Sequence, residues 1–371
     1  MTVRTSTRVP FSNLALQWDQ IKDALMPDLE RLFESSSFVL GPAVASFEKN
    51  FSAYVGARHT IGANSGTSAL HLAMVTAGIG AGDKVLLPSH TFAATAWAVV
   101  YVGATPVLCD VEPRTGTIDV ADAERRMSPS VKAIVPVHLY GQPADMRAVS
   151  AFAQKHGLIV IEDAAQAHGA EYGGKRVGAN ARFACFSFYP GKNLGAAGEG
   201  GAVCTSDDAI AERIRSLGNH GQRERYVHEE VGFNYRMEGI QGLILDHKLR
   251  RLDAWTAERK RIAKRYLEGL RELPLEVPET VNGDHVYHLF VIRTPQRDAL
   301  REHLAANGIE TGLHYPVPLH RQPCFANLAM DRDSFPVSDS YANQCLSLPI
   351  FAGMTGEQID LVVENVRAFL S

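Results

Sequence analysis

Lys192 lies in FSFYPGKNLGAAGEGGAV, residues 186–203, between an aromatic-rich strand and a glycine-rich turn. A lysine on a solvated helix face keeps a pKa of about 10.4 and is protonated at neutral pH. A lysine that attacks a carbonyl needs its neutral amine, and burial is what lowers its pKa toward that state. The surroundings of Lys192 are of the second kind. Asp163 ends the apolar run GLIVIED, residues 157–163, and Gln166 follows three positions later. A carboxylate there can be a general base, a metal ligand, a helix cap or the partner of a protonated ring nitrogen. In NSGTSALHLAM, residues 64–74, small hydroxylated residues and a glycine open an amphipathic helix. Such a start presents free N–H groups and the positive helix end to an anion, typically phosphate. Phe92, in SHTFAAT (residues 89–95), stands just past a strand end, where a flat ring can stack or pack.

These residues are spaced along an alternating pattern that must position them. KVLLPSH, TPVLCDV, KAIVPVHLYG and GLIVIED have strand length and are nearly continuous in apolar character. SALHLAMVTAG, TFAATAWAVVYVG and ADMRAVSAFAQKHG lie between them with helical patterns. Apolar strands alternating with helices imply an α/β fold with a mostly parallel sheet covered on both faces. In such sheets, ligands gather at the carboxyl ends of the strands. A long polar helix pattern from about Gly239 to Leu273 is a candidate arm, and the remainder reads as a smaller α+β unit. The expected division is a large unit over residues 1–250 and a C-terminal one over 251–371, which includes the linking helix.

With 371 residues, the chain suits one large domain and a smaller one. Its net charge of −4 and lack of a basic stripe argue against nucleic acid or anionic membrane as a partner. No run approaches the ~20 apolar residues of a membrane helix, and MTVRTSTRVPFSNLALQWDQ lacks the apolar stretch of a secretory signal. Five scattered cysteines without a CxxC read as reduced packing residues of a cytoplasmic protein.

Lys192, Asp163, the Gly66 helix start and Phe92 together meet the needs of pyridoxal 5′-phosphate. That cofactor takes a Schiff-base lysine, an acidic partner for its ring nitrogen, an anion site and a flat wall. No GxxxxGK[ST] or strand-borne GxGxxG offers a nucleotide site instead.

The motifs NSGTSAL, PSHTFAAT, IEDAAQAHGA, SFYPGKNLGAAGEGGAV and GFNYRMEGIQG resemble those of the DegT/StrS family of nucleotide-sugar aminotransferases, across nearly the whole chain. The resemblance implies a fold-type-I aminotransferase, with a large domain built on a seven-stranded type of sheet and a smaller C-terminal domain. It implies Lys192 as the Schiff-base lysine and proton carrier, Asp163 on the pyridinium nitrogen, Gln166 on the ring oxygen and Phe92 stacked on the ring. Gly66, Thr67, Ser68 and Ser187 are expected at the phosphate. Asn234 is expected to reach the phosphate of a second subunit, in a homodimer with interface active sites.

Members in which histidine replaces the lysine are dehydratases, and Lys192 argues against that branch. HLYGQPADM, GNHGQRERYVHEEVGFNYRM and GIETGLHYPVPLHRQP are most similar to 3-aminotransferases acting on a dTDP-3-keto-6-deoxyhexose. That similarity places Tyr189, His220, His314, Tyr315 and His320 near the sugar, with L-glutamate or L-glutamine as amino donor. A structural turn with satisfied histidines is the other reading of HYPVPLH. Glu199 stands where many relatives have Asp, a change of little expected consequence. A 4-keto sugar aminotransferase, a scyllo-inosose aminotransferase and a non-catalytic pathway regulator are the alternatives. A metal site on His285, His288, His314 and His320 is disfavoured, because His285 and His288 in a strand-like run face opposite sides.

Overall fold

The computed structural model describes residues 8–328 and 331–370. The first seven residues of the stretch read for a secretory signal lie outside them. Four strands, in the order Thr105–Cys109, Lys84–Pro88, Val131–Ile134 and Ile159–Val160, form an all-parallel sheet. A second four-stranded sheet runs His59–Ala63, Gly201–Thr205, Ala184–Ser187, Glu162–Asp163. Within it, Gly201–Thr205 is antiparallel to both neighbours, and Asp163 runs parallel to the strand before Lys192.

The two sheets meet at the candidate site. Val137 bridges Asp163 in parallel, the Asp163 N–H donates to Pro136 O at 2.9 Å, and the His138 N–H donates to Asp163 O at 3.0 Å. Asp163 is therefore held by strands on both sides. The sheet interior is almost wholly aliphatic: Val85, Leu87, Ala133, Val135, Ile161 and Val203 are among its buried residues. Side chains of this kind suit strands covered on both faces by helices.

The expected strands and helices of this half are present. Gly66–Thr76, Ala94–Tyr101 and Met146–His156 are helical where the apolar periodicity places helices. The C-terminal helices are Arg297–Ala306 and Gly356–Leu370.

Two expectations need correction. The single arm from Gly239 to Leu273 is two helices, Gly239–Leu249 and Leu252–Leu270, broken at Arg250–Arg251. Their apolar faces serve different cores. Leu245, Leu249 and Leu252 pack with Phe47 and Phe51, whereas Ile262, Ala263, Tyr266 and Leu270 pack with Phe290, Leu304 and Val362. HVYH, residues 285–288, is not a strand, and extended pairing begins only at Phe290. Tyr287 has φ +47° in that stretch, so the opposite-face argument for His285 and His288 does not apply there.

A boundary at residue 250 is crossed in both directions. Val9 pairs with Ile309 and sits in the C-terminal core, while Leu319, Phe325 and Phe335 pack into the core of the main sheet. Among the described residues no helix is long and apolar enough to cross a membrane. All five cysteines are free thiols, four of them buried.

Candidate active site

Asp163 is buried at a strand end and fixed by two donors. Thr95 Oγ1 donates to Oδ2 at 2.8 Å, and the Ala165 N–H donates to Oδ1 at 3.2 Å. Burial raises its pKa above the usual carboxylate value, while Thr95, Ala165 and the Lys192 charge pull it back. A carboxylate so placed gains most from a further cation beside it. Thr95 ends the SHTFAAT motif, which carries no mark of this role. Nothing in one sequence shows that the helix after Phe92 turns this hydroxyl onto a residue 68 positions away.

Lys192 is partly buried and its backbone N–H closes a turn onto Tyr189 O at 2.8 Å. Burial pushes the amine down to about 8, against the opposing pull of Asp163. About a tenth of the amine is then free base at pH 7, against less than a thousandth for a lysine near 10.4.

The anion end is built from two distant segments. Ser65 caps the Gly66–Thr76 helix, its Oγ accepting the Ser68 N–H at 3.0 Å. The N–H groups of Gly66 and Thr67 are left without intrahelical acceptors, at the positive end of the helix dipole. A Cβ on Gly66 would come within 2.6 Å of the Ser187 Cβ, so glycine is what lets the Ser187 strand approach this helix start. Ser68, also expected at the phosphate, donates its hydroxyl to Asn64 Oδ1 at 2.6 Å and its N–H to Ser65, so it shapes the turn that brings the Gly66 and Thr67 N–H groups up to the Ser187 strand.

Phe92 is 52% exposed, so it is not a core residue. Its ring lies 5.8 Å from that of Tyr315, centroid to centroid. Gln166 is held at both ends of its amide: Oε1 accepts the Tyr140 N–H at 2.6 Å, and Nε2 donates one hydrogen to the Tyr315 hydroxyl at 2.9 Å, which leaves its second N–H for the expected ring oxygen. Tyr140 holds an uncommon φ of +59° for a side-chain-bearing residue and donates its hydroxyl to His314 O. Through Tyr140 and Gln166, the segment around His314 and Tyr315 is tied to the Asp163 strand. Tyr140 lies in the HLYGQPADM motif, but its backbone conformation leaves no mark in sequence.

The remaining expected sugar contacts divide. Tyr189 is 55% exposed beside Lys192. His314 is partly buried, with Nδ1 paired to Ser347 Oγ at 2.8 Å, and burial lowers its pKa to about 4. His220 has φ +64° at the root of the exposed hairpin over residues 222–228, and its ring is partly exposed. Asn234 is exposed, and its backbone carbonyl accepts from Asn64 Nδ2 at 3.2 Å, next to the anion-binding helix start.

His320 is a correction. It is 0% exposed, with Nδ1 paired to Ser89 Oγ at 2.6 Å and Nε2 to Asp339 Oδ1 at 2.9 Å. With both nitrogens occupied inside the protein, it clips two segments together and cannot face a sugar. Ser89, His320 and Asp339 have the residue types of a hydrolase relay, but Ser89 is also 0% exposed. No acyl group can reach it. His285 accepts the Tyr287 N–H on Nδ1 at 2.9 Å and stacks on that ring. Among the described residues, no group of three or more His, Cys, Asp or Glu could hold a metal.

The chain matches the model of the DegT/DnrJ/EryC1/StrS aminotransferase family over residues 19–367. It is similar to a dTDP-3-amino-3,4,6-trideoxy-alpha-D-glucose transaminase of Streptomyces venezuelae, 45% identical over 370 residues, 99% of this chain and 98% of that protein. The crystal structure of S. venezuelae DesV in complex with a ketimine intermediate superposes with a TM-score of 0.96 at 45% identity. It covers 98% of this chain and 99% of that one. Bacillus subtilis ntda with bound cofactor PMP gives a TM-score of 0.90 at 30% identity, covering 100% of this chain and 87% of that one.

Proposed function

This chain belongs to the DegT/DnrJ/EryC1/StrS aminotransferase family, and we propose that it aminates C3 of a dTDP-linked 3-keto-6-deoxyhexose with pyridoxal 5′-phosphate as cofactor. The observation that carries the reading is the partly buried Lys192 amine, lowered to about 8, facing a site in which Asp163 is held by Thr95 and Ala165. The similarity to a dTDP-3-aminosugar transaminase at 45% identity supports the substrate class. L-glutamate or L-glutamine is the amino donor we expect. We also read the two four-stranded sheets as one row of seven positions, with Ile159–Asp163 a single interrupted strand at its centre.

The residues present fit the cofactor. Gly66 and Thr67 N–H groups with the Ser187 hydroxyl would hold its phosphate, Asp163 its ring nitrogen, Phe92 a ring face and Lys192 its aldehyde carbon. When bound, pyridoxal phosphate supplies an aldehyde that condenses with amines and a ring that accepts the electron pair left by a departing α-proton. Asp163, ionised, keeps the ring nitrogen protonated, and its two donors keep the carboxylate from turning away. Lys192 Nζ would move the proton, taking it from the donor's α-carbon and delivering it to the former aldehyde carbon of the cofactor in the same half-reaction, and moving one in the reverse sense, to C3 of the sugar, in the second. A lysine near 8 can do both at neutral pH, whereas one near 10.4 would remain charged and could only donate.

The exposure of Asn234, expected to reach the phosphate of a second subunit, and of Tyr189, expected near the sugar, supports completion of the site by a second copy of the chain, in a homodimer. Their exposure leaves the rim of the site without a cover of its own. A regulator without catalysis would have no use for a reactive lysine, a fixed carboxylate and an anion cradle at one sheet edge.

The test is a panel of dTDP-3-keto and dTDP-4-keto hexoses and scyllo-inosose, each assayed with glutamate and glutamine. Amination of the 3-keto sugar is expected to exceed the others. Turnover of the 4-keto sugar or of scyllo-inosose alone would overturn the regiochemistry, and a protein that takes up no pyridoxal phosphate would overturn the reading itself.

A further inference from the structure

The limb that follows Lys192, residues 193–198, is gripped from the side by one helix. Gln241 and Lys248, seven residues apart on Gly239–Leu249, lie on one face, two turns from each other. Gln241 Oε1 accepts the Ala197 N–H at 2.9 Å, and Lys248 Nζ donates to Gly195 O at 2.7 Å. Between these two contacts, the Ala196 N–H donates to Phe188 O at 2.7 Å. Three consecutive residues thus have a backbone group fixed, two of them by side chains of this helix.

The fit leaves no slack. A Cβ at position 195 would meet Pro190 O at 2.3 Å, and one at 198 would stand 3.0 Å from Gln241 Nε2. The loop is folded back on itself and pressed against the helix, which is why glycine recurs there. The helix is itself fixed: a Cβ at Gly242 would stand 2.8 Å from the Val44 Cα, so its backbone lies directly on the Gly41–Val55 helix.

Lys248 is unusual for a stabilising residue. It is 7% exposed, burial alone lowers its pKa to about 8, and among the described residues its ammonium is bonded to a neutral carbonyl. Taking an ammonium out of water is costly, and one hydrogen bond to a neutral carbonyl offsets only part of that cost. A charged group kept under such conditions calls for a purpose other than stability.

We infer that Gln241 and Lys248 are positioning residues, a two-point clamp that fixes the glycine-rich limb and through it the placement of the Lys192 amine. The inference rests on the role of Lys192 given above. Gln241 and Lys248 touch neither reacting atoms nor cofactor, and they act on Lys192 through the backbone between 193 and 198. Displacement of a reacting group by about 1 Å costs on the order of a hundredfold in rate.

The experiment pairs amide hydrogen exchange, measured by mass spectrometry on the full chain without added cofactor, with steady-state transamination and thermal unfolding. The variants are Lys248→Met, Gln241→Met and, as the conservative control, Gln241→Glu, which keeps an oxygen acceptor for the Ala197 N–H. Gln241→Met and Lys248→Met should speed exchange in the peptide covering 193–198 by about tenfold or more and lower kcat by roughly ten- to a hundredfold. Lys248→Met should do so with an unfolding midpoint within about 5 °C of the parent chain, the scale of leaving one carbonyl unpaired, and Gln241→Glu should keep the exchange protection. Unchanged exchange over 193–198 in both Met variants overturns the clamp. So does a loss of kcat matched by loss of folded protein. The exchange readout needs no substrate or cofactor, so failure of the clamp is distinguishable from failure of the assigned activity.

Discussion

Lys192 stands on the glycine-rich turn, and Lys248 reaches the same turn from the helix beside it. Burial lowers both amines to about 8, so a depressed pKa does not by itself separate a reactive lysine from a structural one. Their neighbours do. Lys192 is coupled by charge to Asp163, and we propose that it shares a site with the Gly66 helix start, which the Ser187 strand meets, and with the exposed Phe92. Lys248 has a carbonyl and the packed face of a helix, and among the described residues burial alone shifts its pKa. Reactivity here is a matter of access and of what stands opposite, while burial is common to both regions.

The contrast can be tested by breaking each side. Lys192→Ala removes the amine that anchors and shuttles, and turnover should fall by at least about 10⁴-fold, read as kcat in a coupled assay. Asp163→Asn keeps the size of the side chain but not its charge, and should cost on the order of 10²–10³ in kcat, the scale of losing one preorganised electrostatic contact. Phe92→Ala loses one stacking face, worth about 1 kcal/mol, so cofactor affinity in a fluorescence titration should weaken about fivefold. His320→Ala leaves the buried Ser89 hydroxyl without its partner, while Asp339 keeps Arg321. It should cost about 1–3 kcal/mol of stability with the KM for sugar unchanged, whereas a sugar-binding His320 would raise KM.

The pH dependence sharpens the same comparison. In the folded chain the pKa of Lys192 is lowered from 10.5 to about 8, so the amine becomes free above about 8. Capture of pyridoxal phosphate, followed by absorbance, should rise through that pH and then level off. Between about 8 and 10.5 the folded chain binds fewer protons at this residue than the unfolded chain, so its contribution to stability rises with pH across that window.

Much of the chemistry was legible because the residues that carry it lie in short motifs next to strand ends. Lys192, Asp163 and the Ser65–Gly66 helix start each sit beside an element whose apolar pattern is plain, and the elements meet as that pattern requires. What could not be read is contact between distant segments. Thr95 on Asp163, Tyr140 at φ +59° on Gln166, and Lys248 on Gly195 are single side chains whose roles depend on packing. His320 shows the opposite failure. Its motif is shared with residues at the site, but the chain turns inward after Pro318 and the ring ends between Ser89 and Asp339. Local patterning also suggested one long arm, because Arg250 and Arg251 are good helix formers and only the two separate cores break the helix between them.

The most direct test of the central claim is to incubate the purified protein with pyridoxal phosphate, reduce it with borohydride and locate the fixed label by tandem mass spectrometry. Label on Lys192, absent in Lys192→Ala, is the predicted result. Label on Lys248 or another lysine, with Lys192 unmodified, would contradict it.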